Sequence, residues 1–176
     1  MKSLLLILLI FGITLPVNSQ SESSKSETNA TIVQNLKYLN KVKSENNPVI
    51  ITKLENLAAH YDIKASDVYN SKSNVTYDVV FEETNAKILV TYNKEGEIVN
   101  SLEEYKNLRL PMQVSSAISK NYPGWSFASN EHQVIYNNGE LKKSYTVKIK
   151  NNSASKVLKF ESDNSNQSNY IAVNKY

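Results

Sequence analysis

The chain holds two histidines, His60 and His132, and no cysteine, so thiolate chemistry and a cysteine-ligated metal are excluded and any histidine-based chemistry would have to use those two rings. A metal centre needs several ligands converging, and no HxH, HExxH or paired-carboxylate spacing stands near either histidine. His60, beside Tyr61 at the end of an apolar stripe, reads as a polar cap or surface residue, and His132, within Asn130-Glu131-His132-Gln133, as a structural or surface one. No G-x-S-x-G elbow offers an activated serine. Gly12, Gly96, Gly124 and Gly139 are all the glycines, too few and too scattered for a P-loop or a dinucleotide fingerprint. The expected protein is therefore not an enzyme, with no catalytic residue, no metal and no cofactor.

Binding is the chemistry that remains. Two strand-like segments keep charge on the face away from their apolar residues: Asp78 and Glu82 in one, Lys148 and Lys150 in the other. A face of both signs suits a partner with complementary patches, and the same pattern is what a merely solvated sheet face would show. Tyrosine is abundant, at 11 residues, which would allow a stacking or protein-binding surface. Tyr77, Tyr92 and Tyr145, however, each start or end an apolar alternation and are expected in the core. Trp125, the single tryptophan, is either a buried staple or an exposed anchor.

The elements that position these residues are legible as periodicity. From Leu110 to Trp125 a short helix is written with its start and stop: Pro111 suits the first turn, Val114, Ala117 and Ile118 share a face, and Asn121-Tyr122-Pro123-Gly124 ends it. An earlier helix follows Pro48, with Ile50, Leu54, Leu57, Ala58 and Tyr61 forming one stripe. After it come a short, possibly extended Ser66–Asn70, then strands at Thr76–Glu83, Ala86–Asn93 and Glu97–Tyr105. After the second helix the pattern returns: Trp125–Ala128, Gln133–Tyr136, Lys143–Lys150 and Leu158-Phe160, with a longer turn at Asn151–Ser155. Tyr145-Val147-Ile149 matches Tyr77-Val79-Phe81, and Tyr61 and Tyr122 occupy the same place at the two helix ends. The predicted fold class is α+β, a tandem helix-plus-strands repeat forming one antiparallel sheet with two helices on one face.

The ends of the chain speak to its compartment. Lys2, the apolar run Leu4–Ile13 and the small residues before Ser19 make a signal peptide, with cleavage expected between Ser19 and Gln20. That run is well short of the roughly 20 residues that span a bilayer, and the absence of cysteine leaves no site for a lipid anchor. Without residues 1–19 the counts become 19 basic against 17 acidic (20 minus Lys2, and no acid removed), a net of +2 that disfavours a nucleic-acid or membrane binder. Gln20–Asn29 is a polar tether, and Ala30–Lys43 fits either a helical stripe (Ile32, Leu36, Leu39) or a strand, read as an extended arm on the domain's edge. In the polar tail, Tyr170, Ile171 and Val173 suit a last edge strand. The expected organisation is signal (1–19), tether and arm (20–46), and one domain (47–176) of two repeats, 47–106 and 107–176.

Leu110-Pro111, Tyr122-Pro123-Gly124-Trp125, Tyr145-x-Val147 and Asn93-x-x-Gly96 together resemble the PepSY-like periplasmic domain family of secreted Bacteroidetes proteins. That family is similar in fold to beta-lactamase inhibitory protein, two tandem units sharing one curved sheet. The resemblance spans roughly Asn47–Asp163 and departs from the pattern at Asp163-Asn164-Ser165-Asn166, where the usual glycine is missing. It implies an exported, periplasmic or secreted, binding or inhibitor-like module; together with the mixed charge of Asp78, Glu82, Lys148 and Lys150, the expected contact is with a protein or peptide through the open sheet face. The alternative is an envelope sensor with a small molecule or ion held between helix and sheet.

Overall fold

Two prolines set where the later helices begin, and a computed structural model of the chain, describing residues 35–44, 46–72, 74–163 and 166–173, shows what those helices cover. The side chains of 163 and 166–173 are not among those described. The Ser19–Gln20 cleavage point, the tether and the centre of the Asp163–Asn166 turn lie outside the described residues.

Helix α1 runs over 35–42 and helix α2 over Val49–His60, followed by a 3-10 turn at Ile63–Ala65. Strands β1 (Tyr77–Glu83), β2 (Ala86–Tyr92) and β3 (Ile98–Lys106) precede α3 (Met112–Asn121). Then come β4 (Ser126–Asn137), β5 (Glu140–Asn151), β6 (Ala154–Asp163) and β7 (Asn166–Val173). All seven strands form one antiparallel sheet in chain order, β1 to β7. The architecture is α+β. No helix among the described residues is long and apolar enough to cross a membrane.

Both α2 and α3 are entered from an extended proline at the N-cap, Pro48 and Pro111, and both leave at a tyrosine, Tyr61 and Tyr122, whose N–H bonds back to Ala58 and Ile118. Proline fits there because an N-terminal N–H would have no helical partner. The hairpin between β4 and β5 turns on Asn138 and Gly139, both at positive φ, the backbone that a two-residue turn of matching twist requires.

Alternation along the strands places every buried strand residue on one face, and the helices cover that face. α1 and α2 lie over the first four strands, with Tyr38, Ile51, Leu54 and Ala58 packed on Ile88, Val90, Tyr92, Tyr105 and Val134. α3 covers the later strands, its Val114 and Ile118 packed on Tyr145, Val147, Ile149 and Phe160. Each large side chain buried this way contributes roughly 1.5–3 kcal/mol, so these short helices are held by packing more than by propensity. Tyr77, Tyr92 and Tyr145 are core residues, as their alternation predicts.

Several local readings are corrected. The arm expected to be extended is helical over 35–42, because Asn35, Tyr38 and Val42 recur on one buried face while Leu36 is exposed. In α2 the covered stripe is Ile51, Leu54, Glu55, Ala58 and Ala59, and Leu57 is 47% exposed. An apolar pattern could not point to that arc, since a carboxylate occupies its centre. Ser66–Asn70 forms no strand; bends and turns follow the 3-10 turn there. The segments expected at Trp125–Ala128 and Gln133–Tyr136 are one strand, β4, paired continuously through polar Glu131 and His132, with a bulge between Phe127 and Ser129. The turn between β5 and β6 is tight, since Asn151 pairs directly with Ala154 across Asn152, at positive φ, and Ser153.

Candidate functional site

The sheet has two faces of different character, and each collects residues that could act. On the covered face, two rows of partners across the strands bring ionisable groups together: Ile88, Glu103, Val134 and Lys143 form one, and Ala86, Tyr105, His132, Tyr145 and Phe160 the next. Glu103 is fully buried and accepts hydrogen bonds from Tyr38 Oη (2.8 Å) and Ser101 Oγ (3.2 Å) at Oε1, and from Tyr105 Oη (2.8 Å) at Oε2. Burial raises its proton affinity, and the three hydroxyls and Lys143 pull the other way.

Glu55 reaches the same space from α2. It accepts a long bond from Asn47 Nδ2 at 3.4 Å on Oε1, and its buried Oε2 has no hydrogen-bond partner among the described residues. Burial first, and the charge of Glu103 second, push its carboxyl up to about 8. Lys143 extends from β5 and donates Nζ to the carbonyl of Val42 at 2.6 Å, at the end of α1; burial lowers its pKa against the pull of both glutamates. His132 lies flat on Tyr145, ring centroids 4.1 Å apart and planes 6° from parallel. It is 2% exposed, and burial together with Lys143 brings it down to about 3, so the ring is neutral across the physiological range.

The interior cluster lies between the helices and the sheet, and beside α1 a pocket of about 160 Å³ is lined by Asn35, Tyr38, Ile98 and Tyr136. Among the described residues no three or more histidine, aspartate or glutamate side chains are grouped to hold a metal ion. His60 is exposed and its Nδ1 lies 2.8 Å from the carbonyl of Asn56, one turn back in α2.

The open face carries the four residues singled out from sequence, all exposed, but not together. Asp78 and Glu82 are on the edge strand β1, where Asp78 accepts from Thr91 Oγ1 at 2.7 Å. Lys148 and Lys150 are on β5, with three strands between, and pair with Ser129 and Ser126 on the part of β4 that reaches past β3. What the register does assemble is an apolar row, Val80–Leu89–Leu102–Ile135, running straight across β1 to β4. Val80 is 50% and Ile135 39% exposed, and Leu89 and Leu102 are half-buried between them. The row continues into Lys142 on β5.

Beside the row the face is hollow. A depression of about 310 Å³ over β4 to β6 is lined by Glu131, Gln133, Ser144, Thr146, Val157 and Lys159. A second of about 440 Å³ shares Gln133, Ser144 and Lys159 with it and reaches Ile135 and Lys142. Sequence reasoning missed the row because each member has only polar neighbours two residues away on its own face of the strand; the signal exists only once register is known. It missed Glu55, Glu103 and Lys143 because a charged side chain reads as solvent-facing until its buried partners, far along the chain, are known. Trp125 is half-buried against the α3 cluster, edge-on to Tyr122, with Lys156 Nζ 5.8 Å from its ring.

Comparison with known proteins finds no matching family model, no matching curated protein and no matching solved structure.

Proposed function

We propose that this protein is an exported, non-enzymatic binding or inhibitor-like module that contacts a protein or peptide through the open face of its sheet. The observation that carries the reading is the apolar row Val80–Leu89–Leu102–Ile135 with its adjoining hollow, on the face that no helix among the described residues covers. Large apolar side chains lined up across four strands, exposed at Val80 and Ile135 and half-buried between them, are what a docking surface requires and a solvated face does not. The residues that resemble the PepSY-like periplasmic family support the same assignment, as does the signal-like Lys2–Ser19 segment. So does the two-fold use of proline entry, tyrosine exit and following strands, which favours a tandem repeat. Periplasm or cell exterior is the proposed location.

The test is capture of partners by the tagged protein, residues 20–176, from the native cell envelope after mild cross-linking. One dominant protein is expected, lost with the double variant Val80→Arg, Ile135→Arg and kept by a helix-surface variant such as Leu57→Arg. Retention by the row variant and loss by the helix variant would overturn the placement. Reversing Lys148 and Lys150 asks whether the partner extends along β5.

A further inference from the structure

The row is specific enough to say what kind of surface fits it. It runs across the strands, and neighbouring strands are about 4.8 Å apart, so its four side chains span about 14 Å. An α-helix advances about 5.4 Å per turn and presents one apolar ridge per turn, so three turns laid along the row set a ridge against nearly every strand. A strand laid the same way spaces its same-face residues about 6.8 Å apart and falls out of step after one contact.

The rows on either side set the charge. On β1 to β4 they are Asp78–Thr91–Asn100–Asn137 on one side and Glu82–Lys87–Glu104–Gln133 on the other. Three carboxylates stand against one ammonium, within a chain whose net charge is +3. A second copy laid with its row in the same direction would bring those carboxylates face to face, and an acidic partner would meet them directly. The ends differ too: Asp78 and Glu82 stand at the β1 end and Lys142 at the β5 end.

We infer that the open face docks a basic amphipathic α-helix of a partner protein, lying across β1 to β4 with its apolar stripe on Val80, Leu89, Leu102 and Ile135 and its flanking lysines or arginines on Asp78, Glu82 and Glu104. The helix runs with its N-terminus over β1 and its C-terminus toward Lys142, because the positive end of the helix dipole then meets the carboxylates and the negative end the ammonium. This rests on the open-face reading of the preceding section and names its partner.

The experiment titrates the tagged protein with a fluorescent designed peptide of about 18 residues, long enough to hold a helix, with leucine at helical spacing and lysine on both flanks. Two companions share its length: one with glutamate in place of lysine, one with the leucines and lysines scrambled. The lysine peptide is expected to bind, the other two at least about tenfold more weakly, with affinity falling as salt rises. Binding should be lost in Ile135→Lys, whose circular dichroism should match the parent's. Equal binding of the glutamate or scrambled peptide, or full binding to Ile135→Lys, overturns the inference. So does a dimer in sedimentation that Ile135→Lys dissociates, since a second copy would then own the row. If no peptide binds while partner capture still depends on Val80 and Ile135, the helix is the wrong partner and the open-face reading stands. If capture is independent of them as well, both fall.

Discussion

The two halves of the covered layer are built on different principles. Over the later strands, α3 rests on the apolar cluster of Val114, Ile118, Tyr145, Val147, Ile149 and Phe160. Over the first strands, α1 and α2 enclose a larger apolar cluster that also contains Glu55, Glu103 and Lys143. α1 is held largely through polar groups: Asn35 donates to the carbonyl of Gly96 (3.1 Å) and accepts from the N–H of Ile98 (2.9 Å), Tyr38 donates to Glu103, and Val42 accepts from Lys143. Apolar packing tolerates small shifts in position, whereas hydrogen bonds to buried charges demand one geometry. The difference teaches that α3 is attached by area and α1 by register.

The sharpest way to break this contrast is Glu103→Ala, which leaves the hydroxyls of Tyr38, Ser101 and Tyr105 in the interior without their acceptor and should cost about 3–5 kcal/mol in denaturant unfolding. Ile149→Ala, on the apolar side, should cost about 2–5 kcal/mol by cavity formation. The two variants should differ in kind: only Glu103→Ala should accelerate amide exchange in α1. Equal exchange in both would mean that the carboxylate does not hold that helix. Tyr38→Phe removes one hydrogen bond to Glu103 and should cost about 1.5–3 kcal/mol.

The polar half should also respond to pH in a way the apolar half does not. Folded Glu55 keeps its proton up to about 8, whereas unfolded it releases it near 4.5. The folded state holds the extra proton between those values, so this contribution to stability is full below about 4.5 and is lost as pH rises to 8. Measured against Glu55→Gln, the parent should therefore lose stability across that window. His132 has the opposite sign: folded it titrates near 3 and unfolded near 6.5, so its contribution is present above 6.5 and is lost as pH falls toward 3. Against His132→Phe the parent should weaken on that acid limb. A flat difference curve in either case would remove that side chain from the titrating set. The smallest expected effect is Val80→Thr on the open face, which should alter stability by no more than about 0.5 kcal/mol.

What sequence could tell divides along the same line. The helix at Met112–Asn121, its proline entry and its tyrosine exit were legible because local sterics and spacing write them directly, and so were the strand alternations around Tyr77 and Tyr145. Glu55, Glu103 and Lys143 were not, because a buried charge is justified only by partners far along the chain. His132 sits in a polar run just before the strand segment expected at Gln133–Tyr136, and the long β4–β5 pairing makes it strand and core. The apolar row on the open face is a property of register between strands and has no trace in any one of them.

Every strand in the sheet lies beside its neighbour in the chain, so the sheet can zip together hairpin by hairpin with little loop entropy to overcome. α1 is the exception. Its anchors lie 61 to 101 residues downstream, the farthest being Lys143 on the fifth strand. α1 is thus completed only once the fifth strand is in place: until β5 has been made and paired, the end of α1 has no ammonium to meet. A nascent chain halted before Lys143 should expose α1 to a protease that the finished protein resists.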